Sequence, residues 1–349
     1  MVVDVQVNVQ VNNDKAKSAL ESTDARNKLV DLSGVIIKEG ENPYDALIKV
    51  CDGDAAQIQS LYSTHRTTRN AQQRDKFLSP ELSELIIDPF LLRLENPGIE
   101  PGFKDPRHCL VFWARPPEHI VKLASHLQGL LKKAAPSLWL MPTHRMHMTT
   151  LEIAHSRTPS GIADLVSALR PALPNLTNFP FTHRARLVKP FLSYDLSAIA
   201  VSFLPAAGES VKSPPPVPPH PDYIVHPGLS GASITETDRY TYHHLRKDIF
   251  DAVNGTGVEI GSRYVVPSAH ITLGRYLTQK DHETKEQREA WIHAIDKINA
   301  WLEKEVWDAT HVDSEFIGEW IVGQERGLNA RGGPLWYGGG RTIMVGEGF

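Results

Sequence analysis

The stretch RMHMTTL at residues 145–151 is echoed by SAHITL at residues 268–273. Each contains a histidine, one spacer and a threonine, set among residues that are typical of β-strands. Side chains at positions i and i+2 of a strand point to the same face. His147 and Thr149 are therefore predicted to share one face, as are His270 and Thr272. If the two strands lie side by side, two imidazoles and two hydroxyls converge on one cleft.

This set of side chains suits chemistry on a phosphoester. One imidazole can take a proton from the attacking oxygen while the other gives a proton to the leaving oxygen. The threonine hydroxyls can donate hydrogen bonds to the non-bridging oxygens. Such a mechanism requires neither a metal nor a cofactor, and the sequence contains no Cys-x-x-Cys and no His-Glu-x-x-His zinc motif. We expect no metal site, activity that survives EDTA, and a bell-shaped pH profile with its maximum near neutrality.

The composition restricts the partners and the compartment. A net charge of −4 gives no basic field, so tight non-specific binding to long nucleic acid is not expected, and a small or short phosphorylated substrate fits better. Cys51 and Cys109 cannot form a disulfide framework, which indicates a reducing compartment. No apolar run reaches the roughly 18 residues of a membrane span, and the first residues lack a secretory signal. We predict a cytoplasmic protein, with the nucleus as the alternative, and no membrane partner.

The patterns predict three regions. Residues 1–41 begin with valines at every second position from 3 to 11, which fits a strand or a flexible tail, and we interpret them as a tail. Residues 42–106 have helical spacing as far as Ile87, just before Pro89, and end in a Pro/Gly-rich linker from residue 96. They are predicted to be a helical extension, and residues 107–349 the main domain.

Within residues 107–349 the order of elements repeats. A strand at 108–114, a helix after Pro117, the first motif strand and a helix after Gly161 form one series. Strands at 184–189 and 197–204, a helix at 237–253, the second motif strand and a helix at 283–304 form the next. Strands at 316–323 and 342–345 close the chain. The two motif histidines are 123 residues apart (270 minus 147), so each can belong to its own half.

Two segments have alternative interpretations. Residues 205–227 are rich in proline and are predicted to be an exposed loop of polyproline character. We interpret them as an insertion without a partner, and an SH3-type ligand is the alternative. The polar, basic run at 65–70 is interpreted as a solvated helix face, and contact with phosphate is the alternative.

Residues 107–349 resemble the 2H phosphoesterases, a group that includes the 2′-5′ RNA ligase-like proteins and the cyclic nucleotide phosphodiesterases. The resemblance rests on the strand before Pro116-Pro117, on His147-Met148-Thr149, and on the stretch from His270 to Arg275. It implies an α+β, bilobal fold with two antiparallel sheets, pseudo-twofold symmetry and a central cleft. It also implies catalytic His147 and His270, with Thr149, Thr272 and Arg275 at the substrate.

The sequence departs from this pattern at two positions. Thr150 occupies a position that is usually apolar, and a buried hydroxyl there needs a backbone partner. Arg275 lies five residues after His270 and would point to the opposite face of a regular strand. It reaches the substrate only through a bulge or at the strand's end, and Gly274 could permit a bulge.

Other candidates are weaker. Trp336 and Tyr337, in a loop beside Gly338-Gly339-Gly340, could stack on a base, and core packing of at least one of them is the alternative. The remaining histidines beside the first motif and on the third helix of the main domain are predicted to lie at the surface: His144, His155, His243 and His244.

The sequence thus predicts a phosphodiesterase acting on 2′,3′-cyclic phosphates, or related cyclic or 2′-5′ linkages, of nucleotides or short RNA. A nucleotide- or RNA-binding module without turnover is the alternative. A scaffold that docks partners through its Pro-rich loop and helical extension is a third interpretation. The two half-sites are nearly equivalent in sequence, so the acid and the base cannot be told apart from it.

Overall fold

A computed structural model describes residues 30–38, 41–212, 237–262, 264–307 and 315–349. These residues form an α+β fold. The strands are β1 (His108–Ala114), β2 (Trp139–Leu140), β3 (Met148–Arg157), β4 (Arg186–Tyr194), β5 (Ala198–Pro205), β6 (Ala269–Arg275), β7 (Trp320–Ile321), β8 (Leu328–Gly333) and β9 (Arg341–Val345). The α-helices are α1 (Asp45–Val50), α2 (Ala55–Leu78), α3 (Pro89–Glu95), α4 (Glu118–Ala134), α5 (Pro159–Leu169), α6 (Leu173–Asn178), α7 (Tyr242–Asn254) and α8 (Lys285–Trp301).

All strands belong to one antiparallel sheet, and the prediction of two separate sheets is therefore wrong. The strand order is β7-β4-β5-β6-β3-β1-β8-β9, with the short β2 also paired to β6. The two halves are joined where Met148 of β3 pairs with Ile271 of β6. Both of these side chains are buried in the core. The strands that carry the two motifs are therefore direct neighbours at the centre of the sheet.

The apolar stripes predicted from helical spacing form the core. In α4 the buried side chains are those spaced three and four apart, including Ile120, Leu123, Leu127 and Leu131. The same holds in α8 for Trp291, Ile292, Ile295 and Ile298. Burial of such side chains stabilises the fold by roughly 1.5–3 kcal/mol each relative to exposure. Helices α4 and α8 thus pack on the sheet through these stripes.

The helical region before residue 107 shares this core. Ile58, Tyr62 and Phe77 of α2 are buried in the same cluster as the strands of the sheet. Asp54 begins the helix by accepting a hydrogen bond from the Gln57 amide at 2.8 Å. Residues 42–95 are helical in large part, as predicted, but they pack as part of the body and not as an appendage.

Several helix and strand boundaries differ from the prediction. Residues 81–87 are irregular, and a helix begins only at Pro89, because Asp88 accepts the Phe90 amide and proline suits the first helical position. The predicted strand at 316–323 is reduced to Trp320–Ile321. Strand β8 was not predicted, since the sequence from Leu328 to Gly333 ends in two glycines and resembles a loop.

The Pro-rich segment is only partly described. Residues 205–212 are only partly an exposed loop. Gly208 and Ser210 are exposed, but Ala206 is buried, and the Glu209 carboxylate accepts from Lys189 Nζ and Gln59 Nε2, both at 2.6 Å. That part of the prediction is wrong because these groups satisfy each other against α2 and β4. The prolines from 214 to 227, like the valine pattern at 3–11, lie outside the described residues.

No helix among the residues with described structure is long and apolar enough to span a bilayer.

Candidate active site

The two His-x-Thr motifs face each other across β3 and β6. Next to the Met148–Ile271 pair, antiparallel register sets His147 opposite Thr272 and Thr149 opposite His270. Because Met148 and Ile271 point into the core, all four polar side chains point to the other face. Directly opposite residues have Cβ atoms about 4.5–5.5 Å apart, and diagonal neighbours about 7–8 Å. The two imidazoles are diagonal neighbours, which leaves room for a phosphate group between them.

His147 is held by its own turn and by an aromatic ring. It follows the short 3₁₀ turn Thr143–Arg145, and its Nδ1–H donates to the Arg145 carbonyl at 2.8 Å. The ring stacks on the Trp113 indole with centroids 3.7 Å apart and an 18° angle between planes. This arrangement directs the neutral ring's lone pair to Nε2.

The surroundings of His147 disfavour its charged form. Burial lowers the pKa of His147 to about 3, opposed by the Arg145 carbonyl and reinforced by the positive charge of Arg115. Arg115 donates to the Met146 carbonyl at 2.8 Å, and its guanidinium lies 5.0 Å from the Trp113 ring. The neutral ring is therefore the resting form at neutral pH.

His270 has a similar arrangement on the other strand. Its Nδ1 lies 3.0 Å from the Ser268 hydroxyl, and the Tyr264 ring is tilted towards it with centroids 6.3 Å apart. Burial lowers the pKa of His270 to about 4, with Arg69 and Arg246 acting in the same direction and Asp195 opposing them. In both motif histidines the ring nitrogen Nδ1 is hydrogen-bonded, to the Arg145 carbonyl or to the Ser268 hydroxyl. Neither Nε2 has a hydrogen-bond partner among the described residues.

A cavity of about 480 Å³ borders the second half-site, which is formed by His270 and Thr272. His270, Thr272 and Arg275 line it, together with Tyr264 and Trp336. Its further walls come from α2, from residues between 193 and 203, and from residues 262 and 264–269. His147 and Thr149 share the sheet face but do not line this cavity. The structure therefore brings the four motif residues together on one face, with the enclosed space on the His270 side.

Arg275 reaches the cavity through the bulge that the sequence would require. Ala200 pairs with Thr272, whereas Ile199 pairs with Gly274, so β6 carries one extra residue between them. This extra residue returns Arg275 to the face of His270. A Cβ on Gly274 would lie 2.7 Å from the Trp139 carbonyl, so only glycine fits under β2. The Arg275 guanidinium lies 5.7 Å from the Tyr337 ring centroid.

The two loop aromatics have different places. Trp336 lines the cavity, as base stacking would need. Tyr337 is buried and does not line it: its hydroxyl donates to Asp88 at 2.6 Å and accepts from Arg107 Nη2 at 2.8 Å. The structure does not support Tyr337 as a substrate contact, because its two partners, Asp88 before α3 and Arg107 after it, fix the loop in place.

Several other predictions about polar residues need correction. His65 and Arg66 of the basic run are buried and line the cavity, so that run is not a solvated face. His243 is also buried, with Nδ1 accepting from the Tyr62 hydroxyl and Nε2–H donating to the Tyr44 carbonyl. Both errors have one cause: the helices bearing these residues pack across the sheet, which local periodicity cannot show.

The predictions for residues close to the first motif are also partly correct and partly wrong. His144 is exposed, as predicted, and His155 is partly exposed but lies within β3, which extends to Arg157. Thr150 is fully buried, yet its hydroxyl lacks the expected backbone partner within the described structure.

Three site residues were missed by the sequence reasoning. Trp113 and Ser268 lie beside the motif histidines, and Arg69 pairs with Asp195 at 2.8 Å in the cavity wall. Ser268 could have been found, since it is two residues before His270 and so shares its face. Trp113 and Arg69 come from distant elements and carry no local signal. Within the ranges described, no group of three or more His, Cys, Asp or Glu side chains could hold a metal ion.

Comparisons with known proteins add little to this geometry. No family model matches the chain, and no curated protein matches it. Among solved structures, the crystal structure of TT0787 of Thermus thermophilus is similar over 68% of this chain and 96% of that chain, with 16% sequence identity and a TM-score of 0.31. What the site can do therefore follows from its own residues.

Proposed function

We propose that this protein is a metal-independent phosphodiesterase of the 2H type, acting on 2′,3′-cyclic phosphates or related cyclic and 2′-5′ linkages of nucleotides or short RNA. The observation that carries the proposal is the pairing of β3 with β6, which sets two histidines and two threonines on one face of the sheet. A phosphate between the diagonal imidazoles would have a proton acceptor on one side and a donor on the other.

The bilobal fold of that family belongs to the same proposal. The strand order is symmetric about the β3–β6 pair, with β1, β8 and β9 on one side and β5, β4 and β7 on the other. Each half contributes one motif strand at the centre and one long helix, α4 or α8, to the core. A pseudo-twofold relation between the halves would exchange the two motifs.

The two histidines divide the proton transfers within this proposal. A water molecule attacks phosphorus while one ring accepts its proton, and the bond to the ribose oxygen breaks as the other ring protonates that oxygen. Burial lowers the pKa of both rings, to about 3 for His147 and to about 4 for His270, and the reaction needs the form of the pair that carries a single proton. Thr149 and Thr272 would donate to the non-bridging oxygens.

A screen of nucleotides tests the proposal. Purified protein in EDTA is incubated with 2′,3′-cyclic, 3′,5′-cyclic and 2′-5′-linked nucleotides, and products are separated by chromatography. The expected result is cleavage of at least one class, undiminished by EDTA. A His147→Ala preparation purified in parallel excludes a contaminating nuclease. Loss of cleavage in EDTA with rescue by a divalent ion would contradict the metal-independent mechanism.

One observation favours a second candidate, a nucleotide- or RNA-binding module without turnover. With pKa values of about 3 and about 4, both rings are neutral at neutral pH, and neither can serve as an acid until a ligand raises its pKa. Binding of AMP or a 2′-5′ oligoadenylate without cleavage of any compound in the screen would support this candidate.

The pH dependence of turnover should be displaced to the acid side. Unperturbed histidines predict a maximum near neutrality, but both folded-state pKa values lie below 6.5, so the singly protonated pair is most abundant between about 3 and about 4. Since kcat/KM reports the free enzyme, it should fall as pH rises from about 5 to about 8. The bound phosphate raises the pKa of the acid, so kcat should reach its maximum at a higher pH. A kcat/KM that rises steadily to about pH 10 would contradict the acid role.

A further inference from the structure

The basic run of α2 forms one wall of the cavity. His65 and Arg66 are 3% and 7% exposed, Arg69 is partly buried, and all three line the space that contains His270 and Thr272. They come from the region that the resemblance to known phosphoesterases does not cover. The wall therefore adds positive charge to the second half-site from outside the paired motif strands.

Arg66 differs from Arg69, Arg107 and Arg186, which are paired with carboxylates. It also differs from the buried Arg246 and Arg288, which have no described carboxylate partner but donate to several backbone carbonyls. Arg107 is paired with Asp105 at 2.6 Å, and Arg186 is paired with Asp238 and Glu319. Arg69, one turn further along α2, is paired with Asp195. Among the residues that the structure describes, no carboxylate lies within ion-pair distance of Arg66. A buried cation without a counter-ion is costly, so such a group marks a place where an anion would stabilise the protein.

The contacts of Arg66 hold its side chain in place without neutralising it. Nη1 donates to the Lys189 carbonyl at 2.8 Å, and Nε is buried with no hydrogen-bond partner in the described structure. The guanidinium carbon lies 4.9 Å from the Phe191 ring centroid and 5.5 Å from that of Trp307. Lys189 has a φ of 54°, in the left-handed region, at a bulge of β4. Burial lowers the pKa of Arg66 to about 9, opposed by the negative charge of Glu303, which lies beyond ion-pair distance, so Arg66 remains charged at neutral pH.

His65, the residue before Arg66 on α2, lines the same cavity and carries a neutral donor. The Leu32 amide donates to His65 Nδ1 at 3.0 Å, which places the ring proton on Nε2. Burial lowers the pKa of His65 to about 4, opposed by the Asp31 carboxylate 3.7 Å from Nδ1, so the ring stays neutral at neutral pH. One fixed cation and one N–H donor are a suitable pair for a phosphate oxygen.

We propose that Arg66, with His65, forms a second anion subsite that binds a phosphate other than the one being cleaved. The inference rests on the proposed function, and it narrows the substrate to a nucleotide that carries two phosphates. The cavity has room for more than one phosphate-bearing unit at about 480 Å³. A cyclic mononucleotide with a single phosphate would leave Arg66 without a counter-ion.

Binding of uncleavable, product-like ligands tests this subsite. Calorimetry compares adenosine 3′-monophosphate, which has one phosphate, with adenosine 3′,5′-bisphosphate, whose second phosphate is terminal. The third ligand, adenylyl-(3′→5′)-adenosine 3′-phosphate, has an internucleotide second phosphate. Wild-type protein should bind at least one two-phosphate ligand about tenfold or more tightly than the monophosphate, as one charge-assisted hydrogen bond provides. The ligand with the larger gain identifies the source of the second phosphate.

Variants of α2 assign the gain to Arg66. Arg66→Gln should remove the preference for two phosphates and leave the Kd of the monophosphate unchanged, while Arg66→Lys should retain part of it. Arg74→Gln is the matched control, because Arg74 is on the same helix, half-exposed and paired with Asp296 outside the cavity. An unchanged preference in Arg66→Gln, or an equal loss in Arg74→Gln, would overturn the proposal.

The wild-type measurement decides the matter even if a variant fails to fold. If wild-type protein binds both two-phosphate ligands with the same Kd as the monophosphate, the proposed subsite is disproved without any mutation. If the protein cleaves nothing in the nucleotide screen but prefers two phosphates through Arg66, the phosphodiesterase proposal fails and the subsite stands. If it cleaves cyclic phosphates without such a preference, the subsite fails alone.

Discussion

Replacing His147 or His270 with alanine should lower kcat on any accepted substrate by about 10²–10⁴-fold, which is the contribution of a general acid or base. Neither His147 nor His270 belongs to the buried apolar core, so the core should remain intact. Steady-state kinetics measure the loss, and circular dichroism with thermal melting checks the fold. The double variant should lose much less than the product of the two single effects, since the two groups act in one step.

The control and the pH profile separate catalysis from structure. His144→Ala replaces an exposed histidine three residues before His147 and should leave the kinetics unchanged. Any residual activity of each single variant should lack one limb of the pH profile. Loss of the acid limb identifies the replaced histidine as the base, and loss of the alkaline limb identifies it as the acid. A variant of either motif histidine that keeps more than about a tenth of the wild-type rate on every substrate would disprove its assignment.

Thr149→Val and Thr272→Val should each reduce kcat/KM by about 10²–10³-fold, or about 2.7–4 kcal/mol of transition-state stabilisation. Valine keeps the shape of threonine and removes the hydroxyl donor. Thr149 lies opposite His270 and Thr272 opposite His147, so each hydroxyl is next to the ring of the other half-site. Without one hydroxyl, the negative charge that develops on the non-bridging oxygens in the transition state would lose one hydrogen-bond donor.

The distribution of the effect between kcat and KM identifies the role of these hydroxyls. A donor used mainly in the transition state lowers kcat and kcat/KM together, whereas a uniform binding contact raises KM alone. Thr278→Val, in the exposed segment just after β6, is the matched control and should not change either constant. Kinetics that are unchanged in both motif variants would show that the hydroxyls are structural.

The motifs themselves could be predicted because their information is local. Alternation along a strand places His147 beside Thr149 and His270 beside Thr272 with no knowledge of the rest of the chain. The Arg275 argument had the same character: counting residues showed that a bulge was needed, and the register of β5 against β6 contains one. Helical spacing likewise predicted the buried stripes of α4 and α8.

The errors arose where a local pattern depends on a distant partner. Tyr337 was predicted as a candidate for base stacking, but its hydroxyl is hydrogen-bonded to Asp88 and Arg107, which are distant in sequence. Two sheets were expected, but one backbone pair between β3 and β6 joins them. Residues 205–212 looked like open loop, but Glu209 is bound by Lys189 and Gln59.

By itself, then, the sequence determined which residues could do the chemistry, because a two-residue period fixes the face of each side chain. Only the tertiary structure decided what surrounds them. The local sequence of the basic run at residues 65–70 does not show whether it faces water or a cavity. Its burial results from the packing of α2 against β4 and β5. The pKa values of His147 and His270 also depend on tertiary structure, since both burial and the neighbouring arginines come from several segments of the chain.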